Sequence, residues 1–400
     1  MRKSPLFISK WIILFTVILI DLLAGMEFDL FVPSFPELQS HFGLSPFLVE
    51  SLLSVNFIGY CLSLFLVGGL ADRYGRKPIL LLGIMTFIIG SIFCLWATSY
   101  PSLLVGRFLQ GVGIAAPSIL SFLIIADLYP LKQQQYFMAM LNGVMNTAVG
   151  IAPIIGSYVT LYFHWQGNFK VLLLLSMVAF IMIVLFIPVN QLPKQKETLS
   201  PLGYVQLFQS KPLVLLIAHI VFMFVPYWIF VGMSPLLYIQ GLGVSLSHFG
   251  YYQGVLAVIF ALGSVLLGLI INRFNQKPML FISAQIFIVS LISIGLVTIL
   301  DSQSPLLITL AFIPFIIGQV IPSAILYPLC LNFMPEAKGR VSAVIQGSRL
   351  IFCALSLQIA GFYYRGSFQN IGIILVGFIF LVVITLFLVM KNEKLMKINK

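Results

Sequence analysis

The chain has 400 residues, of which 60% are hydrophobic and only 8% are charged. A soluble protein of that length needs far more charge to cover its surface, so this composition excludes a soluble fold. The formal charge of +11 is spread as short basic clusters between apolar runs, and without a continuous basic face nucleic-acid binding is not expected.

A membrane-spanning helix needs about 20 predominantly apolar residues. On that measure twelve spans are predicted, at 10–34, 47–70, 79–98, 102–126, 136–161, 168–189, 213–239, 249–271, 279–299, 305–332, 341–363 and 371–390. The expected fold is therefore an all-α membrane protein of twelve transmembrane helices in two pseudo-symmetric six-helix bundles. The N-terminal bundle takes residues 1–189, a cytoplasmic linker with Pro193, Lys194, Lys196, Glu197 and Pro201 takes 190–211, and the C-terminal bundle takes 212–400. With both termini in the cytoplasm, only Lys170 and Arg365 of the 22 Lys and Arg residues fall outside, while Arg107 and Arg349 lie within spans. That bias fixes the predicted orientation.

In chain order, the N-terminus has the basic-then-apolar order of a signal peptide. No small-residue cleavage site follows, and Asp21, Glu27 and Asp29 interrupt the pattern, so a retained first span is expected. Three acids are too many for a mere anchor. At about 100° per residue, Asp29 lies about 80° from Asp21 and Glu27 about 120° away on the other side. Asp21 and Asp29 are thus expected to face one cavity, about 12 Å apart along the axis, and the candidate proton and substrate cavity is completed by Glu27, Arg107 and Arg349. The loop between the second and third spans runs from Gly69 to Pro78. Its Gly69 and Gly75 permit a tight turn and close helix approach, Asp72 can cap or pair, and Arg73, Arg76 and Lys77 hold the cytoplasmic face. The fourth span carries Arg107, a charge that has to face a cavity or a partner, and it ends at Asp127. In the fifth, Gly150, Pro153 and Gly156 bend the helix and allow close packing.

The second half repeats the first. Ala71–Leu80 lines up with Ile271–Leu280, and both loops join the second span of a half to the third. Parallel repeats of this kind place substrate between the halves near the midplane. The seventh span gathers Tyr227, Trp228, Phe230 and Tyr238, for which packing or interfacial anchoring serves as well as ligand stacking. His41, His164, His219 and His248 show no metal spacing, so no metal is expected, and His219 suits a core role. Cys61, Cys94, Cys330 and Cys353 read as buried free thiols. Arg349 lies about 15 Å into the eleventh span, at a depth similar to that of Asp21. Two readings are open: a salt bridge to Asp21 across the halves, slightly favoured because an unpaired central arginine is costly, or an anion-binding group for substrate.

The run Gly69–Pro78 resembles the loop signature of the major facilitator superfamily, and Leu104–Gly113 resembles its buried-arginine motif. Gly150–Gly156 resembles the antiporter motif of its drug exporters, although Ala152 stands where a glycine usually precedes the proline. Asp21 and Asp29, followed by Pro33, resemble the acidic pair of its twelve-span drug:proton antiporter group, the Bcr/CflA-like multidrug transporters. Ser234–Leu237 and Lys338–Ala343 are similar to the same group. The resemblance implies a multi-pass protein of a bacterial inner membrane. It also implies a charged loop whose acidic partner is Asp127, and carboxylates that bind protons and cationic drugs. The implied function is proton-coupled multidrug efflux by alternating access, with Asp29 or Asp21 carrying the proton. The alternative is a carrier of an anionic or zwitterionic metabolite, such as a carboxylate siderophore, using Arg349 and Arg107 in either direction. Expected partners are a small-molecule substrate, protons and the lipid bilayer, with the chain monomeric. No cofactor is expected, since no phosphate-binding loop is present. No enzyme activity is expected either, since no nucleophile–base constellation is visible.

Overall fold

A backbone that crosses lipid has to satisfy its own N–H and C=O groups, which leaves the helix as the natural element for these apolar runs. The computed structural model describes residues 10–129, 131–188, 207–334, 338–392 and 395. The first half holds α1 (Lys10–Met26), α2 (Phe35–Phe42), α3 (Pro46–Tyr74), α4 (Arg76–Leu95), α5 (Tyr100–Leu128) and α6 (Leu131–Phe186). The second half holds α7 (Lys211–Pro235), α8 (Leu246–Ile270), α9 (Gln276–Ile299), α10 (Pro305–Asn332), α11 (Lys338–Tyr363) and α12 (Phe368–Lys391). Local chemistry sets the starts. Ser45 and Ser304 each precede a proline at the first helical position, and their hydroxyls accept from the amides of Leu48 and Leu307, a cap that satisfies an otherwise orphaned donor.

Among the described residues, ten helices are long and apolar enough to cross a membrane. One of these lies in α6, whose 56 residues are helical except at His164, with φ 60° and ψ −178°. Its two limbs are the expected fifth and sixth crossings. The left-handed φ of a non-glycine residue costs of order 1 kcal/mol, and the exposed His164 ring bonds Glu37 Oε1 at 2.9 Å. The 17-residue α1 completes the set of twelve. The first span departs from the expected continuous helix over 10–34. It stops at Met26, turns through residues 27–31, and passes through a short 3-10 segment, Val32–Ser34, into α2. Pro33 and Pro36 lack the N–H that would continue the ladder.

Packing falls into two sets. In the first half α4 and α3 lie on α5, and α1 and α4 lie on α6; in the second α9 packs on α10 and α12, α7 on α11 and α12, and α8 on α10. Glycines bring α4 and α5 into backbone contact. A Cβ at Gly90 would stand 2.7 Å from the Gly106 carbonyl, and one at Gly113 would stand 2.6 Å from the Gly83 carbonyl, so no larger residue fits that seam. The halves meet chiefly through α3 on α11 and α6 on α8. At the end away from the chain termini, Ser51 Oγ donates to Gln358 Oε1 (3.0 Å), Gln358 Nε2 to Ser54 Oγ (2.9 Å), and Ser54 Oγ to the Ala354 carbonyl (3.0 Å). Around the perimeter, Leu66, Leu82, Val265 and Ile292 are exposed, as lipid-facing positions are.

Candidate functional site

Between the halves lies a cavity of about 480 Å³. Its walls come from α1 and the turn after it, α3, α5, α6, α7, α8, α10 and α11. Aromatic rings dominate: Trp228 sits 5.6 Å from Phe28, 5.0 Å from Phe57 and 6.0 Å from Phe224, centroid to centroid. Tyr60, Tyr227 and Tyr327 add hydroxyls, and Ser118, Gln319, Ser323 and Gln346 add short polar groups. The charged residues on the wall are Asp29 from the first half and Arg349 from the second.

Both are held with bonding capacity to spare. Asp29 is 1% exposed, and among the described residues neither of its carboxylate oxygens accepts a hydrogen bond. Arg349 lies with its guanidinium carbon 3.4 Å from the centre of the Phe224 ring, a stacked cation–π arrangement. Its Nη1 donates to Gln346 Oε1 at 2.8 Å, while its Nε finds no acceptor among the described residues. Among the same residues the indole Nε1 of Trp228 is also unpartnered. A buried polar group without a partner is costly. This wall therefore presents an acceptor pair and two donors that a bound molecule would satisfy.

The other sequence-predicted charges lie elsewhere. Asp21 does not share the cavity wall with Asp29 and forms no ion pair with Arg349. It is buried against α5, where Ser121 Oγ donates to its Oδ1 at 3.3 Å. The shared face assumed one straight helix, and α1 ends three residues before Asp29. Glu27 and Arg107 are fully buried, and they pair with each other at 2.7 Å instead of lining the cavity. Arg107 Nη1 also donates to Gln110 Oε1 (2.7 Å), Arg107 Nε donates to the Leu52 carbonyl (3.3 Å), and Asn56 Nδ2 donates to Glu27 Oε1 (2.8 Å). The guanidinium lies 4.0 Å over the Phe31 ring. This network staples α1, α3 and α5 together.

At the cytoplasm-predicted end, Gly75 makes the one-residue turn between α3 and α4 with φ 94° and ψ 159°, a conformation that needs glycine. Gly69 sits a turn and a half earlier on α3. Arg76 Nε reaches Asp127 Oδ2 at 3.2 Å, tying the start of α4 to the end of α5. Lys77 Nζ donates to the Val184 carbonyl at the end of α6 (2.7 Å), and Arg73 lies over the Tyr74 ring. Asp72 is on α3, and its side chain lies outside the described residues. Most of the expected 190–211 linker lies outside them as well.

Gly150 and Pro153 form the α6 side of the seam with the other half, while Gly156 packs within the first half. A Cβ on Gly250 of α8 would stand 2.8 Å from the Pro153 carbonyl, and one on Gly150 3.0 Å from Ala257 Cβ. Gly156 backs directly onto the Leu30 carbonyl. His219 bonds Thr385 Oγ1 at 2.9 Å in the core of the second half, and the four cysteines are buried and free.

Sequence reasoning passed over Phe224 and Gln346, which position Arg349, and Tyr60, whose hydroxyl donates to Ser118 Oγ at 2.8 Å. It also passed over Glu50, fully buried with neither oxygen partnered among the described residues. The available signal was an acid inside the predicted second span.

The family model described as Major Facilitator Superfamily matches residues 17–357. The chain is similar to a bicyclomycin resistance protein homolog of Haemophilus influenzae, with 27% identity over 361 residues that cover 87% of this chain and 88% of that protein. It is likewise similar to multidrug resistance protein MdtL of Shewanella oneidensis, 24% identical over 377 residues, covering 93% and 94%. Its backbone is similar to that of a solved D-xylose–proton symporter, with TM-score 0.74 and 16% identity over 94% of this chain and 97% of that one. This last likeness shows the fold.

Proposed function

The chain belongs to the Major Facilitator Superfamily, and on that premise we propose that it is a proton-coupled secondary transporter exporting small amphipathic compounds by alternating access. The observation that carries the reading is Asp29: an unpartnered carboxylate on the wall of an aromatic-lined cavity between the two halves. A carboxylate in such a place is balanced either by a proton or by a cationic group of a ligand. The two therefore compete, and competition for one site is what exchange requires. With the cavity open outward, Asp29 takes a proton. With it open inward, the entering substrate displaces that proton to the cytoplasm and rides outward in its place. The halves, residues 1–189 and 212–400, rock about the cavity in a bacterial inner membrane, with both termini cytoplasmic and the chain monomeric. The similarity to a bicyclomycin resistance protein homolog and to a multidrug resistance protein supports efflux as the direction.

The test is proton movement in proteoliposomes carrying an imposed pH gradient. Addition of a lipophilic cation should release protons from the wild-type protein and none from Asp29→Asn, while the variant keeps its fold by circular dichroism. Proton release of equal size from the variant would remove Asp29 from the mechanism.

A second reading is favoured by Arg349, which faces the cavity with a free Nε and no carboxylate partner among the described residues. It suits a substrate that brings its own carboxylate or another strong acceptor. Proton movement driven by carboxylates alone, and lost on changing Arg349, would make the protein a carrier of anionic or zwitterionic metabolites.

A further inference from the structure

Glu50 lies one turn into α3, at the end of the molecule where the halves are in contact, and it is fully buried. Its carboxylate rests on bare backbone of the other half. A Cβ added at Gly232 of α7 would stand 2.7 Å from Glu50 Oε2 and 2.6 Å from Leu357 Cδ2 of α11. The acid thus fills a slot between α7 and α11. The hydrogen bonds that close this end pass it by: Ser51 and Ser54, its neighbours on α3, bond to Gln358 and Ala354, while both Glu50 oxygens accept none among the described residues.

Among the described residues, no cation on the elements packed around it is turned to Glu50. On α5, Arg107 is committed to Glu27, Gln110 and the Leu52 carbonyl, and Tyr100 donates to the Leu48 carbonyl. On α11, Arg349 is stacked on Phe224, and Cys353 is a buried thiol. On α7, His219 bonds Thr385, and Tyr227 lines the cavity. On α2, Glu37 bonds His164, and His41 packs on Phe42 and Trp165. On α4, Arg76 and Lys77 lie at the opposite end.

We propose that Glu50 is a second proton-binding site, distinct from Asp29, that acts as a latch on the far end of the cavity. In the closed interface, an ionised carboxylate would have neither donor nor cation nor bulk water, a state that burial penalises heavily. Closing therefore requires that Glu50 bind a proton. When α3 parts from α7 and α11, the carboxylate meets the medium and releases that proton to the side from which it came. The proton is not carried across. Its binding lets the pH on that side set how often the end is closed, with no effect on the number of protons exchanged per substrate. The inference rests on the alternating-access reading in taking that end to be the outer one.

The linkage has a definite sign and size. The closed state holds one more proton, so raising the pH opens the end, by up to tenfold in the closed-to-open ratio per pH unit. The experiment uses the full chain in nanodiscs, with the native cysteines replaced and spin labels on cysteines introduced at the exposed His41 and Gln303, one on each half. Distances are read across pH in an Asp29→Asn background, which silences the cavity acid. The closed population should fall as pH rises, and Glu50→Gln should hold it high and independent of pH while the end still opens part of the time. Gly232→Ala, which drives a methyl into the same slot, should hold it open even at low pH. In proteoliposomes, Glu50→Gln with Asp29 intact should turn over more slowly yet retain the wild-type protons per substrate. An unchanged pH response in Glu50→Gln overturns the proposal, as does one in Gly232→Ala should the first variant not fold, or a drop in the proton ratio. The distances need no substrate, so absence of transport would count against the export reading and leave the latch standing or falling on its own data.

Discussion

Replacing Arg107 by methionine should destabilise the protein by about 3–5 kcal/mol, the cost of stranding one member of a buried ion pair. Its local environment shows why. Without the guanidinium, Glu27 Oε1 keeps only Asn56, Gln110 Oε1 keeps only the Cys94 thiol at 3.6 Å, and the Leu52 carbonyl loses the Arg107 bond. Each stranded acceptor costs about 1–3 kcal/mol, the charged one more, and relaxation keeps the total below the simple sum. Glu27→Gln alone should cost less, because a neutral amide can still accept from Arg107. The Glu27→Gln/Arg107→Met double variant should recover much of the loss, since it leaves no uncompensated charge in the core. Equilibrium unfolding in mixed micelles, read as a double-mutant cycle, should give a coupling of about 2–3 kcal/mol. A coupling below about 0.5 kcal/mol would refute the idea that this pair staples α1 to α5.

Gly156→Ala puts a methyl onto the Leu30 carbonyl and should cost about 1–3 kcal/mol as an overpacked contact; an unshifted thermal midpoint would contradict that packing. Arg349→Gln should weaken binding of carboxylate ligands by about tenfold or more, the loss of one charge-assisted contact, while sparing lipophilic cations, as measured by calorimetry. Equal loss for both classes would mean that Arg349 shapes the cavity without reading charge. Asp127→Asn breaks a partly exposed pair with Arg76 and should cost no more than about 1 kcal/mol, with a smaller effect at high salt; a loss independent of salt would point to a buried role.

Most of the fold was legible in the sequence because lipid imposes one rule on every crossing. Span-length apolar runs located the helices, and the lined-up loops at Arg73 and Arg273 exposed the repeat. That Asp127 serves as the acidic partner of the charged loop was implied by the family resemblance; which base it meets, Arg76, comes from the packing. The first span was harder. Treating residues 10–34 as one straight helix put Asp21 and Asp29 on a common face, whereas Pro33 and Pro36 break the ladder and leave Asp29 on a turn. Glu27 was placed among the cavity charges, whereas it pairs with Arg107, 80 positions along the chain, and no local pattern links them. The position of Arg349 over Phe224 depends on how α11 lies on α7, a tertiary fact. Glu50 stood in plain view within an apolar run, but which slot receives it is set by Gly232 on the opposite half.

The glycine seam between α4 and α5 has a mechanical consequence. Two helices whose backbones touch at Gly90 and Gly106, and again at Gly83 and Gly113, and whose ends are tied by Arg76 and Asp127, have little freedom to slide or bow against each other. They behave as a single stiff plank. The 29 residues of α5 span about 43 Å at 1.5 Å per residue, so a tilt of about 10° about the middle carries each tip some ~4 Å. That is enough to admit or bar a water molecule at one mouth, while side chains near the fulcrum keep their spacing almost unchanged. A lever of this kind converts a small repacking at one rim into a door at the other, without deforming what lies between.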